Sequence, residues 1–233
     1  MAPPAYLLVF SDPGAGVSQE EFTDWYNNEH VPLRVVVPAF LNWTRWKAAD
    51  GQKPAWAASY DLTTYEDTLK SPYSRLAETR SDREKRILRD VEVLDRRTYE
   101  LLEGPRTPPS SLYDPKKPPR YTLFVSADVK EEGEENFNRW YDEEHIPMIA
   151  QLPGWVRSRR FVLKDWGKMG VEGQKEQLPP PKYLAVHEWE SGIEVINDAK
   201  VRESWQTPWK TEVDKFVVRR EKRLFEYYRH WEK

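Results

Sequence analysis

The 233-residue chain has no cysteine. Disulfides, thiolate metal sites and a cysteine nucleophile are therefore excluded. It also lacks an excess of positive charge. Its 36 Lys and Arg stand against 39 Asp and Glu, a formal net charge of −3, which leaves no basic footprint for nucleic acid. No apolar run approaches the ~20 residues that a membrane-spanning helix needs. The opening MAPPAYLLVFSD lacks the charged start of a secretory leader, so a cytoplasmic protein with no membrane partner is the expectation. There is no glycine-rich phosphate loop, no HExxH helix and no serine-centred elbow. No metal and no cofactor is expected. Histidine is scarce, with four in the chain, whereas Trp (11) and Tyr (12) are abundant enough to fill cores or to line a cavity for a flat ligand.

What the chain does have is a motif written twice. FTDWYNNEHVP occupies residues 22–32 and FNRWYDEEHIP occupies residues 137–147, both of the form F-x-x-W-Y-x-x-E-H-x-P. Phe137 minus Phe22 is 115, and a repeat of that period is too long for a solenoid unit and suits a duplicated small domain. The proline-rich stretch EGPRTPPSSLYDPKKPP reads as a connector. It divides the chain into a first half at 1–104, a linker at 105–119 and a second half at 120–233.

Each half follows one order of elements. Short β-branched and aromatic runs at 5–10 and 120–127 read as first strands. The motif helix comes next, opened in the first half by Ser18 with acidic residues behind it. Second strands are expected at 39–48 and 154–163, third strands at 55–62 and 182–189, then a helical stretch, then last strands at 95–101 and 221–227. The loop between the second and third strands is longer in the second half. The order β-α-β-β-α-β, written twice, is the ferredoxin-like motif in an α+β chain.

The motif after a first strand resembles the EthD family within the dimeric α/β-barrel superfamily, over nearly the whole chain apart from the linker and the long loop. The resemblance implies two ferredoxin-like halves forming an intramolecular dimeric α/β barrel, as a monomer or a homodimer of the fused chain. It further implies a cofactor-independent enzyme of secondary metabolism acting on an aromatic or polyketide-like small molecule. Its reaction would be an acid-base cyclisation, dehydration, decarboxylation or isomerisation, and cofactor-free oxygenation is also open. Other branches of the superfamily bind haem, so a haem-binding or non-catalytic small-molecule-binding protein is the alternative.

At roughly 100° per residue, Glu29 falls in the middle of an apolar helical stripe with Phe22 and Leu33, and Glu144 does so in the second half. A buried carboxylate needs a partner. A structural ion pair from Glu29 and Glu144 to strand arginines is expected, either Arg45 and Arg160 or Arg97 and Arg223. His30 and His145 come one turn after Tyr26 and Tyr141, so Tyr and His share a face. A helix C-terminus and a nearby carboxylate would favour the protonated imidazole and tune it toward neutral pH. The catalytic candidates are His145, His187, His30, Tyr141 and Tyr26. Trp140, Trp25, Arg160, Arg45, Tyr60 and Tyr183 are the substrate-binding candidates. The second half, with His145 and His187 where the first offers His30 and Tyr60, is the better equipped, and its long loop with Gly167, Gly170 and Gly173 could fold over a pocket as a lid. His230 is expected to be exposed.

Overall fold

A computed structural model describes residues 2–104, 107–175, 178–191 and 199–232. Residues 105–106 of the expected linker and 176–177 of the long loop lie outside this set. Among the described residues eight strands run in chain order: β1 Ala5–Asp12, β2 Trp43–Ala48, β3 Trp56–Leu62, β4 Val93–Leu101, β5 Tyr121–Val129, β6 Trp155–Met169, β7 Tyr183–Trp189 and β8 Val217–Trp231. They close into a barrel in the order β1-β3-β2-β8-β5-β7-β6-β4. The mixed α+β class expected from the sequence is what forms. Among the described residues the α-helices are α1 Gln19–Trp25, α2 Pro32–Val35, α3 Tyr65–Thr68, α4 Asp82–Asp90, α5 Glu134–Trp140, α6 Ile146–Ile149, α7 Ala199–Glu203 and α8 Pro208–Asp214. Among the described residues no helix is long and apolar enough to cross a membrane.

Contacts divide the chain into two compact units. Unit 1 is Met1–Leu101 with Leu163–Pro180 and Tyr228–Lys233, and unit 2 is Leu102–Val162 with Pro181–Tyr227. The two segments added to unit 1 begin with the far ends of β6 and β8. Both strands are fifteen residues long, and both outrun the stretches that looked like strands in the sequence. The extension of β6 occupies the start of the long loop expected there. These ends are rich in charge and only partly buried. A ladder needs backbone groups rather than apolar side chains, so they carry no hydrophobic signature.

In unit 1, β1 pairs antiparallel with β3 and with β4, and β2 pairs with β3. All eight β1 residues are buried, which is why AYLLVF reads as a continuous apolar run. One face of this sheet carries Leu7, Val9, Ala58 and Tyr60 into a core with Phe22, Trp25 and Tyr26 from the motif helix. In unit 2, β5 pairs antiparallel with β7 and β8, and β6 pairs with β7. Phe137, Trp140 and Tyr141 are buried there in the same way.

Candidate functional site

The motif does not form one uninterrupted α-helix. After α1 the chain widens into a π-turn over Tyr26–His30 before α2, and the same happens over Tyr141–His145 between α5 and α6. The hydrogen bond from Val31 N to Tyr26 O at 3.1 Å spans five residues. The cause is Pro32, and Pro147 in the second half. Proline has no N–H for the bond to residue i−4, and its ring crowds that carbonyl. The extra residue in the turn rotates the residues beyond it by roughly 100°.

That rotation corrects the helical-face expectation. Glu29 and Glu144 are only half-buried, and Leu33 is exposed. Neither glutamate meets a strand arginine as an ion-pair partner. Instead Glu29 accepts a hydrogen bond from Ser81 Oγ at 2.5 Å, and Glu144 accepts one from Thr207 Oγ1 at 2.5 Å. Ser81 caps α4 and Thr207 caps α8, each hydroxyl accepting a backbone N–H of the first turn. The repeated glutamate thus ties the motif to the cap of the next long helix. Glu29 has a weaker second contact with Arg83 at 3.8 Å, and Glu144 takes Trp140 Nε1 at 3.0 Å.

The strand arginines have another role. Arg45 is buried over the Tyr26 ring at 4.3 Å and donates to Asn27 Oδ1 at 2.7 Å. Arg160 is buried over Tyr141 at 4.3 Å and donates to Asn138 Oδ1 at 2.8 Å. Each guanidinium replaces its lost hydration with an aromatic face and an amide oxygen. Arg97 pairs with Asp95 at 2.7 Å, and Arg223 is buried over Phe225.

The rotation also turns the histidines inward. His30 packs under Trp25 and Tyr26, with ring centroids 4.7 and 4.8 Å away. Its Nδ1 lies 2.8 Å from Glu84 Oε1, three residues after the α4 cap. Burial drives the imidazole down to about 3, helped by Arg34 and only partly opposed by Glu84. The ring is therefore neutral, donating Nδ1–H to Glu84 and leaving Nε2 as the basic nitrogen. Burial would raise the Glu84 carboxyl, yet His30, Arg34 and Arg80 hold it below its ordinary range, so it stays ionised. The tuning toward neutral pH expected from a helix end is outweighed by desolvation.

His30 lines a cavity of about 360 Å³ within unit 1, a size that suits a small-molecule site. Its floor is Leu7 and Val9 of β1, Tyr60 of β3 and Leu94 and Arg96 of β4. Its walls come from Arg34, the 68–80 segment, Leu88 of α4, and Asp165 and Met169 of β6. Tyr60 OH meets Tyr26 OH at 3.3 Å, and burial raises both phenols, so both are protonated. Of the residues singled out from the sequence, His30 and Tyr60 line this cavity. Glu84, Arg34, Arg80 and Arg96 also belong to the site and carry no site signature in the sequence. Only the S-x-x-E capping pattern at 81–84 marked Glu84 at all.

The second-half candidates are packed differently. His145 is buried, stacked on Trp140 at 4.6 Å, with Nδ1 donating to Ser204 O at 3.3 Å. His187 is fully buried, 5.8 Å from His145 and 6.3 Å from Tyr141, with Nδ1 on Ser158 Oγ at 2.8 Å. Burial lowers His145 to about 3 and holds His187 well below the ordinary imidazole range. Neither Nε2 has solvent or a hydrogen-bond partner among the described residues. Trp25 and Trp140 are buried beside the imidazoles, and Tyr183 is buried against Phe137. The long-loop glycines do not form a free flap: Val171 N and Glu172 N bond to the carbonyls of Val91 and Glu92 at 2.8 Å each. His230 is half-buried in β8, with Nδ1 3.0 Å from Thr44 Oγ1. Among the described residues no three His, Asp or Glu side chains converge as a metal set would.

No family model matches the chain, and no curated protein matches it significantly in sequence. Solved structures do match over nearly its whole length. An anthrone oxidase-like protein aligns over 99% of this chain and 93% of its own, with a TM-score of 0.64 and 11% identity. A mutant chlorite dismutase from Candidatus Nitrospira defluvii aligns over 98% and 93%, with a TM-score of 0.59 and 9% identity. A candidate monooxygenase from Fusobacterium nucleatum aligns over 100% and 95%, with a TM-score of 0.55 and 8% identity. The fold is that of the dimeric α/β barrels. At such identities the likeness carries the fold and not the reaction.

Proposed function

We propose that the chain is a tandem-duplicated, EthD-like enzyme that performs acid-base chemistry on an aromatic or polyketide-like small molecule in the unit 1 cavity, without a cofactor. The observation that carries this reading is the His30 imidazole held through Nδ1 by the Glu84 carboxylate at 2.8 Å on the cavity wall. A carboxylate in that place fixes the tautomer and stabilises the imidazolium that forms once Nε2 takes a proton. The base removes a proton next to a carbonyl, and the protonated Tyr60 hydroxyl donates a hydrogen bond to the oxygen that gains charge. The resulting enolate is the common start of cyclisation, dehydration, isomerisation and cofactor-free oxygen addition. The anthrone oxidase-like and monooxygenase neighbours favour the last of these as the first reaction to test. The test is deuterium exchange at the acidic C–H of an anthrone, monitored by NMR. His30→Gln is expected to slow exchange by about 10²–10⁴. Unchanged exchange in that variant would overturn the assignment.

One observation also supports a haem-binding reading. A neutral imidazole with its Nδ1 on a carboxylate keeps Nε2 for a metal, so His30 would be the residue to hold a haem iron, and the haem would supply redox chemistry. A Soret titration of wild type against His30→Gln separates the two readings. A His30-dependent band supports haem, and no band leaves the acid-base reading.

A further inference from the structure

The charges around the unit 1 cavity do not cancel. Three arginines line it, Arg34, Arg80 and Arg96. Arg96 is already satisfied, by Asp165 at 2.6 Å and Thr98 Oγ1 at 3.1 Å. Arg34 donates Nη1 to the His30 carbonyl at 2.6 Å, and among the described residues neither Arg34 nor Arg80 has a carboxylate within 4.0 Å. Asp165 is the acidic residue among the described lining, and Glu84 lies behind His30. With His30 neutral, three positive charges face two negative ones, which leaves one positive charge unmatched. Leu7, Val9, Leu94 and Met169 give the space an apolar wall, with the hydroxyl groups of Tyr60, Thr68, Tyr73 and Ser74 belonging to other lining residues.

An unmatched guanidinium in a partly desolvated space is costly unless a counter-ion completes it. The planar guanidinium of Arg80 is of the shape that fits a carboxylate in two parallel bonds. Arg34 keeps Nε and Nη2 available beyond its bond to the backbone. From this charge balance we infer that the ligand of the cavity is a flat, apolar-bodied monoanion whose carboxylate is held by Arg34 and Arg80. The inference rests on reading this cavity as the working site. It adds what the dyad alone does not specify, namely the ionic class of the ligand and the two residues that select it. It also couples binding to chemistry. Arg34 and Arg80 both depress His30, so an anion that neutralises them raises the basicity of Nε2 once substrate is in place.

The experiment uses naphthoate and naphthamide, flat probes of one shape that differ in charge. Their dissociation constants are measured on the full chain by calorimetry at low salt. Wild type is expected to bind naphthoate about 10- to 100-fold tighter than naphthamide, the range of one or two charge-assisted hydrogen bonds. Arg80→Gln and Arg34→Gln are each expected to cut that preference about tenfold while leaving naphthamide unchanged. Arg80→Gln is the safer variant to fold, because Arg34 also holds a backbone carbonyl, and a thermal melt checks both. Equal binding of the two probes, no binding of either, or a preference untouched by Arg80→Gln would each overturn the inference. His30→Gln keeps the two readings apart. If it retains the anion preference and also full turnover, the catalytic assignment falls and the ligand class stands.

Discussion

In unit 1 the imidazole of the motif meets a carboxylate, whereas in unit 2 the matching place on the capped helix carries Lys210. Ser81 and Thr207 cap their helices alike, both accept the backbone N–H three residues on, and both donate to the motif glutamate. The residue that supplies that N–H is Glu84 in one unit and Lys210 in the other. Glu84 turns to His30, while Lys210 pairs with Asp214 and lies over the Trp140 ring at 5.6 Å. A carboxylate orients a base. An ammonium beside an imidazole only opposes its protonation, and Lys210 is among the groups that depress His145. One architecture therefore carries an oriented imidazole in unit 1 and a packed one in unit 2.

The largest expected effect tests this difference directly. His30→Gln should lower turnover by about 10²–10⁴, and His145→Gln should leave it within about threefold, in steady-state assays on an anthrone. The reverse ranking would move the working site to the second half, where the sequence alone places it. Glu84→Gln should lower kcat by about 10- to 100-fold with little change in KM, because it removes orientation rather than binding. A loss confined to KM would break the dyad reading.

Next in size is a pH effect that the two units share. His30 and His145 both sit at about 3 in the folded chain, below the ordinary 6.5. As pH falls below 6.5 the unfolded chain takes up protons first. Stability from these groups is thus fully present above pH 6.5 and is lost toward pH 3, at up to about 1.4 kcal/mol per pH unit for each. Urea unfolding at pH 7 and pH 5 should differ accordingly, and His30→Gln and His145→Gln should each flatten the slope. A flat profile in wild type would mean that these rings are not buried. Lys210→Glu sharpens the contrast by giving unit 2 the missing carboxylate. It should raise the His145 pKa by about 1–2 units, read from imidazole NMR titration.

The smallest effect falls where the units agree. Glu29→Ala and Glu144→Ala should each cost about 1–2 kcal/mol, the range for one hydrogen bond to a charged, half-exposed group. A loss of about 3 kcal/mol or more, as expected for breaking a buried ion pair, would restore the strand-arginine pairing. Glu144→Ala should cost slightly more, since Glu144 also accepts from Trp140 Nε1 where Glu29 has only the longer contact to Arg83.

Much of the fold was legible in the sequence because strand cores are short apolar runs and the motif recurs with the same neighbours. The added ends of β6 and β8 were not legible, since their ladder bonds leave no side-chain pattern. Helical-wheel reasoning misplaced Glu29 because it assumed a constant turn, although Pro32 was in plain view as the reason for a wider one. His30 and Tyr60 were legible as candidates. Arg34 and Arg80 looked like ordinary surface charges, and nothing local distinguishes a solvated arginine from one facing a cavity.

The sequence by itself determined the strand runs, the α+β class and the two Glu-His pairs, because each rests on local pattern and spacing. Only the tertiary structure decided which histidine gains a carboxylate and a cavity. Glu84 lies 54 residues from His30, and Asp165 and Met169 reach the same space from the far end of β6. Packing alone brings such distant groups to hydrogen-bond distance, and the electrostatics of the site exist only once they are there.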